Sequence, residues 1–356
     1  MGLPSPTFSF TIPSIYDGTQ LECRLYLPPH LGRQQAVTSW EKKGAIIAHP
    51  YGPLGGCYDD PVVNSIGGEL LQDGYIVGTF NFRGAGSSGG RTSWTAKPEL
   101  GDYVSFYGFL AYYLHGLETQ SSGEENGKIS SVAVNILLGG YSYGSMIASL
   151  LPTIEEVLNL FANGLPASWT LQVRAKALEL STTWNNKFAT TRQPQISSSP
   201  DPNPSSTTTV AGNAQKARID NTQRGMANDI PIPNISYLLV SPILPPVSMF
   251  VTMFSRMPFI SGQSSGISIE GTHLPSPKPE EQLCAYPTLA IFGDKDMFTP
   301  TSKMRKWVED LSGASQSKFQ SREINGAGHF WIEHNAESQM RYALRQWLRQ
   351  TLSGKI

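Results

Sequence analysis

Residues 132–144 read VAVNILLGGYSYG, an apolar run that ends in a serine flanked by glycines. Residues 132–138 show no alternation of apolar and polar side chains, which is typical of a parallel strand buried on both faces. The pentapeptide 140–144 has the form G-x-S-x-G, and a helical segment follows it. Glycines two residues away remove the clashes of a sharp strand-to-helix turn, so the pattern predicts that Ser142 is a nucleophile on such a turn. A plain glycine turn is the alternative reading.

Strand-like and helix-like segments alternate around this motif. Strands are predicted at residues 7–12, 20–27, 44–48, 75–80 and 132–138, with helices at 59–72 and 103–114. Further strands are predicted at 235–240, 288–292 and 318–324, with a helix at 337–352. This order predicts the α/β class, with a mostly parallel central sheet and helices on both of its faces.

The middle of the chain interrupts the alternation. Helices are predicted within residues 153–161 and 169–187, and their apolar side chains, Phe161 and Trp169 among them, are expected to line an acyl pocket. Residues 193–228 contain no aromatic residue and are rich in Ser, Thr and Pro, so this tract is expected to be disordered. We therefore predict a core portion at 1–151, a cap insertion at 152–234 and a second core portion at 235–356.

A nucleophilic serine needs a base, and His329 is the best candidate. It lies in the glycine-rich loop GAGHF at 326–330, directly after a predicted strand. A turn histidine that bonds only to the backbone is the alternative reading. His329, Glu333 and His334 spell H-x-x-x-E-H, but this spacing does not put the two histidines on one helix face, so no metal site is predicted.

The acid that orients the histidine is expected after the strand at 288–292, because the catalytic groups of parallel sheets gather beyond strand ends. Asp294 and Asp296 both lie in that loop. We favour Asp296 and expect Asp294, next to a glycine, to tie down the turn. Thr299 is predicted to cap the next helix, with Pro300 at its first position.

The chain order Ser142, Asp296, His329 resembles that of the α/β-hydrolase superfamily, over nearly the whole chain apart from the insertion. The resemblance implies that Ser142 occupies a nucleophile elbow and that the three residues form a catalytic triad. It also implies an oxyanion hole of backbone N–H groups, one of them from Tyr143, the residue after the nucleophile.

The other oxyanion donor is expected in the loop HPYGPLGG at 49–56. Its prolines carry no N–H, which leaves Tyr51, Gly52 and Leu54 as donors. The resemblance selects Tyr51, because the family donor follows a His-Gly or His-Pro pair. The loop is similar to those of the dienelactone-hydrolase-like and small acyl-hydrolase branches. An ordinary glycine-rich connection is the alternative reading.

Residues 84–89 spell G-x-G-x-x-G, which is nominally a dinucleotide fingerprint. No apolar helix follows it, and the segment that begins at Asn81 resembles instead a loop of α/β-hydrolases. No cofactor is therefore predicted.

Together these features predict a cofactor-independent serine hydrolase. It would cleave a carboxylic ester, a thioester or an activated amide with an apolar acyl part, through an acyl-enzyme intermediate. Two other readings stay open. One is a biosynthetic α/β-hydrolase that uses the same triad for cyclisation, condensation or C–C cleavage. The other is a catalytically silent binding protein on this scaffold.

Composition excludes several other classes. Lys and Arg total 27 against 28 Asp and Glu, a net charge of −1, which argues against a nucleic-acid partner. Residues 237–255 carry no charge, but Pro242, Pro245 and Pro246 would break a helix there, so no transmembrane span is predicted. The three cysteines are odd in number and widely spaced, and the first residues lack signal-peptide features, which together predict a cytoplasmic protein.

Overall fold

The computed structural model describes residues 2–32, 40–118, 133–191, 230–244, 265–269 and 271–352. Strands of the central sheet are β1 Phe8–Pro13, β2 Gln20–Tyr26, β3 Lys42–Ala48, β4 Ile76–Phe80, β5 Val134–Tyr141, β6 Asn234–Val240, β9 Thr288–Gly293 and β10 Phe319–Ile324. They lie side by side in the order β1-β2-β4-β3-β5-β6-β9-β10. Outside this sheet, β7 Ser265–Ile269 and β8 Thr272–Ser276 pair as an antiparallel hairpin.

The directions of the strands create a switch point in the sheet. β2 runs antiparallel to both β1 and β4, while the other neighbouring strands pair in parallel. The chain goes from β3 outward to β4 and then returns to β5 on the other side of β3. Open α/β sheets bind ligands at the carboxyl ends of strands where the order reverses in this way. The predicted α/β architecture with a mostly parallel sheet is confirmed.

Helices cover both faces of the sheet. Their bounds are α1 Pro61–Gln72, α2 Lys97–Gly116, α3 Tyr143–Ala148, α4 Ile154–Ala162, α5 Trp169–Thr191, α6 Pro279–Ala285, α7 Thr301–Ser312 and α8 Ala336–Leu352. One apolar core joins Ile47 of β3 to Ile66 of α1 and Leu344 of α8. A second core joins the neighbouring Ile46 to Phe106 of α2 on the opposite face. Both faces of β3 are therefore buried, which explains its unbroken apolar sequence.

The start of α7 differs from the sequence-based expectation. Pro300 is the N-cap of this helix, and its first residue is Thr301, so the prediction that Thr299 caps it is wrong. The hydroxyl of Thr299 is used elsewhere, because it donates to the Pro242 carbonyl over 3.2 Å and accepts from the Leu244 amide over 3.3 Å. Thr299 thus ties this loop to the segment after β6.

Two helices, α4 and α5, lie within the predicted insertion, and α5 packs against α2. Phe161 of α4 is completely buried, with its ring directly over Gly108 of α2. The expectation that Phe161 lines an acyl pocket is therefore wrong, because its ring is fully buried between α4 and α2 and has no surface open to a ligand. The Trp169 ring lies against Gly18 in the turn between β1 and β2. The tract 193–228 lies outside the described residues.

The stretch that raised the question of a membrane span is described only as far as Leu244. In the described parts of the chain, every helix is too short or too polar to cross a membrane.

Candidate active site

Ser142 occupies the sharp turn between β5 and α3. Its φ of 55° and ψ of −115° are a strained conformation for a residue with a side chain. The Ser142 amide donates to the Val240 carbonyl over 2.8 Å, and its carbonyl accepts from the Ser145 amide over 3.1 Å. These bonds hold the turn at the carboxyl edge of the sheet.

The two flanking glycines are required by close approach of the backbone. A Cβ on Gly140 would overlap the carbonyl group of Gly144. A Cβ on Gly144 would overlap the carbonyl oxygens of Ala48 and His49 at the end of β3. The ends of β3 and β5 and the first turn of α3 are therefore packed backbone to backbone, which is the physical basis of the G-x-S-x-G spelling.

His329 lies in the loop after β10, and its imidazole reaches the serine. The Nε2 atom is 2.9 Å from the Ser142 Oγ. The hydroxyl of Tyr141 donates to the His329 carbonyl over 2.8 Å, so the loop is bonded to the residue just before Ser142. The His329 loop and the Ser142 turn are therefore held together by this bond as well as by the contact between their own side chains.

Asp296 lies on the other side of the imidazole. Its Oδ2 is 2.7 Å from the His329 Nδ1, while its Oδ1 accepts from the Phe298 amide over 2.8 Å and from the Thr299 amide over 3.3 Å. Because a carboxylate only accepts, this network assigns the imidazole proton to Nδ1. Nε2 is then the acceptor for the Ser142 hydroxyl.

Asp294 has a different position. Its Oδ1 accepts from the Gly326 amide over 2.6 Å, and its backbone carbonyl accepts from the Thr301 hydroxyl over 2.5 Å. The carboxylate of Asp294 therefore joins the loop after β9 to the loop after β10, whereas that of Asp296 meets the histidine.

The three side chains are almost inaccessible to solvent. Ser142, His329 and Asp296 have 7%, 4% and 7% of their surface exposed. Hydrogen bonds in such a poorly hydrated place are stronger and better fixed than the same bonds in water. The arrangement can pass a proton from a serine hydroxyl to an imidazole without first reorganising solvent.

Tyr51 and Tyr143 lie together beside the Ser142 turn. Tyr143 is the first residue of α3, and the amides of a first helical turn have no acceptor within the helix. Tyr51 precedes the 3-10 turn Gly52–Leu54, and its carbonyl accepts from the Leu54 and Gly56 amides over 3.1 and 3.2 Å. The two tyrosine rings pack with centroids 5.2 Å apart. The segments that carry the two expected oxyanion donors are thus in direct contact.

His49, to which sequence reasoning gave no role beyond spelling the loop, supports this region. Its ring is fully buried, with Nδ1 2.6 Å from the Pro50 carbonyl, and its Nε2 accepts from the Phe82 amide over 2.9 Å. Burial lowers the pKa of His49 to about 4, so the ring is neutral at pH 7 and carries its proton on Nδ1. His49 thereby joins the start of the Tyr51 turn to the segment that follows β4. The sequence gives one indication of this supporting role, which is that His49 is a polar residue directly after a buried strand.

The glycine-rich loop at 84–89 is held by an ion-pair network. Arg83 contacts Asp102 of α2 over 2.6 Å and Asp17 of the β1–β2 turn over 2.8 Å. The loop therefore joins two neighbouring elements of the fold. Across the described stretches of chain, no group of three or more His, Cys, Asp or Glu side chains has the geometry of a metal site.

No family model matches the chain, and no curated protein matches it in sequence. Solved structures do match. A lidless α/β serine hydrolase from Xanthomonas campestris is 16% identical, with a TM-score of 0.50, and the match covers 98% of this chain and 97% of that one. A protein of unknown function from Agrobacterium tumefaciens, considered a candidate α/β hydrolase, is 16% identical with a TM-score of 0.51 and covers 98% and 96%. The chain has the α/β-hydrolase fold. Ser142 stands at the turn between β5 and α3 of this fold.

Proposed function

We propose that this chain is a cofactor-independent serine hydrolase. It cleaves a carboxylic ester, a thioester or an activated amide through an acyl-enzyme intermediate. The observation that carries the proposal is the buried chain of contacts from Ser142 through His329 to Asp296, at 2.9 and 2.7 Å. Three groups from three separate loops meet in the order and at the distances that nucleophilic catalysis needs.

In the first half of the reaction, the Ser142 Oγ attacks the substrate carbonyl carbon while His329 Nε2 takes the hydroxyl proton. The imidazolium returns this proton to the leaving group as the bond to the carbonyl carbon breaks, and the acyl group stays on Oγ. Water then attacks the acyl-enzyme by the same proton path and releases the acid. Asp296 holds the productive tautomer and stabilises the imidazolium.

The charge on the carbonyl oxygen is held by the amides of Tyr51 and Tyr143. Donors fixed before the reaction stabilise a developing oxyanion without further reorganisation, and this is usually a large contribution to catalysis. The packed tyrosine rings and the buried His49 support the proposal, because they fix both donor segments. The strain at Ser142 supports the proposal as well. A φ of 55° costs free energy in a residue with a side chain, and such strain is found mostly at functional sites.

We further propose a division of the chain into core portions at 1–151 and 235–356 and an insertion at 152–234. The substrate is a small molecule with an apolar acyl part. No nucleic acid takes part, and the near-zero net charge of the chain supports this.

We also propose a cytoplasmic location. The cysteines Cys23, Cys57 and Cys284 are all free, which supports a reducing compartment.

Labelling with a fluorophosphonate tests the proposal. The wild type should react, and Ser142→Ala should lose the label entirely because the attacking oxygen is gone. Ser149→Ala is the matched control, since Ser149 is also buried and follows the same helix, and its hydroxyl donates to the Met146 carbonyl over 2.7 Å. Failure of the wild type to react, or equal labelling of Ser142→Ala, would remove serine hydrolysis as the function.

A further inference from the structure

Two phenylalanines pack directly on the imidazole of His329. The ring of Phe298 lies 4.4 Å from that of His329, and the ring of Phe330 lies 5.5 Å from it, edge to face. The two phenylalanine rings are 5.9 Å apart and also meet edge to face. We call Phe298 and Phe330 the aromatic shelf. One belongs to the loop of Asp296 and the other to the loop of His329, so the shelf spans both.

The shelf is open to solvent on one side. Phe330 is 53% exposed, although its neighbour His329 is buried, and Phe298 is half-buried. Met297 and Ile332, on the same two loops, are exposed as well. Single exposed apolar residues need no explanation, but several on the two loops that hold a catalytic base mark a surface that can take an apolar group.

The chemistry of the proposed reaction decides which part of the substrate reaches this surface. The leaving oxygen or sulfur receives its proton from His329 Nε2, so in the transition state it must lie within hydrogen-bond reach of that atom. The oxyanion points instead toward the amides of Tyr51 and Tyr143. The substituent on the leaving atom therefore starts beside the imidazole, next to the aromatic shelf.

We propose that the aromatic shelf binds the leaving group, and that the preferred substrates are esters or thioesters of apolar, preferably aromatic, alcohols or thiols. This inference rests on the proposed function. The acyl group, in contrast, stays on Ser142 and does not touch the shelf. Phe330 is therefore a specificity-determining residue for the alcohol side of the substrate.

Three esters test the assignment: ethyl acetate, 2-phenylethyl acetate and ethyl 3-phenylpropanoate. The first two share an acyl group and differ in the alcohol, while the third carries its phenyl ring on the acyl side. The wild type should prefer 2-phenylethyl acetate to ethyl acetate in kcat/KM. Phe330→Ala should lower that preference about 3- to 10-fold, the range expected for one lost aromatic contact. Phe330→Leu keeps an apolar surface and should lower it less.

Tyr342→Ala is the matched control, since Tyr342 is an exposed aromatic residue on α8. It should leave the preference unchanged. The inference is overturned if Phe330→Ala lowers kcat/KM for both acetates equally. It is also overturned if the variant changes the ratio of kcat/KM for ethyl 3-phenylpropanoate to that for ethyl acetate, and leaves the ratio between the two acetates unchanged. In both cases the proposed function would stand. If the wild type hydrolyses none of the esters and also resists the fluorophosphonate, the proposed function itself fails, and the inference fails with it.

Discussion

The indole N–H of Trp331 donates to the hydroxyl of Ser241 over 3.0 Å, and both residues have a positive φ, 57° and 46°. Ser241 directly follows β6, where the Val240 carbonyl accepts from the Ser142 amide. Its own amide donates to the Ile291 carbonyl of β9, the strand that leads to Asp296. The end of β6 is therefore bonded to the turn of Ser142, to the loop of His329 and to the strand that leads to Asp296.

This relationship predicts that Trp331 and Ser241 are positioning residues. Trp331→Phe removes the donor and Ser241→Ala the acceptor, and each should lower kcat about 10-fold with little change in KM, because a small shift of the His329 loop spoils the alignment with Ser142. The double variant should be no worse than the worse single one, since both remove the same bond. Strictly multiplying effects on kcat would contradict the prediction.

Two controls separate alignment from stability. Trp40→Phe breaks a comparable bond, from the indole N–H to the Gly74 carbonyl at 2.8 Å, and should cost about 1 kcal/mol of unfolding free energy without changing kcat. Ser241→Gly also lacks the hydroxyl but relieves the positive φ. If Ser241→Gly had wild-type kcat while Ser241→Ala did not, backbone strain and not the bond would be responsible.

The two aspartates after β9 predict opposite outcomes on mutation. Asp296→Asn should keep the fold yet lower kcat by orders of magnitude, about 10⁴ in the best-studied triads, because an amide can present its N–H₂ group to Nδ1 and favour the wrong tautomer. Asp294→Asn should cost far less, since an amide oxygen can still accept from Gly326. Ester turnover by the two purified variants, each checked for a native circular dichroism spectrum, would distinguish them. A larger loss for Asp294→Asn would overturn the assignment.

Burial of His49 predicts a specific pH dependence of stability. The pKa of His49 is about 4 in the folded state and 6.5 in the unfolded state. Above pH 6.5 the imidazole is neutral in both states, so His49 does not lower the unfolding free energy there. As the pH falls from 6.5 to 4, the imidazole takes up a proton in the unfolded state but not in the folded state, and the unfolding free energy falls by about 3 kcal/mol. His49→Gln cannot titrate, so its unfolding free energy should fall less over this window. Urea unfolding at pH 7, 6, 5 and 4 measures the difference, and equal slopes for both proteins would contradict it.

The proposed triad could be predicted from the sequence, whereas the bonds that support it could not. Ser142, His329 and Asp296 each follow a recognisable strand, and strand ends converge at one edge of a parallel sheet, so local patterns sufficed to pick residues that meet in space. The Trp331–Ser241 bond had no such signal. Both residues adopt a conformation that favours glycine, and only their tertiary partners keep them there. The Thr299 cap was wrong for a related reason, because Pro242 and Leu244, distant in sequence, bond its hydroxyl.

The hairpin of β7 and β8 was missed although the sequence contains a signal for it. Ile267 and Ile269 alternate with polar residues, Leu274 is buried opposite them, and Gly271 at the turn has a φ of 82°. Period-2 alternation around a glycine is a recognised hairpin pattern. Pro275 within the second strand conceals this signal, because a proline in a strand-like run argues against a strand.

The Tyr51 amide gives the sharpest test of the oxyanion assignment. The φ of Tyr51 is −60°, the value that a proline ring imposes, so Tyr51→Pro can delete the N–H without forcing the backbone at that residue to turn. The substitution also removes the ring that packs on Tyr143, and Tyr51→Ala, which keeps the N–H, is the control for that loss. Relative to Tyr51→Ala, Tyr51→Pro should lower kcat by about 10² to 10³ with a small effect on KM, because the lost donor acts mainly in the transition state. Fluorophosphonate labelling of both variants and their thermal unfolding would show whether the serine and the fold are intact. If the two variants had the same kcat, the Tyr51 amide would not be a donor. The Gly52 amide would then be tested next, because the Leu54 amide already donates to the Tyr51 carbonyl over 3.1 Å.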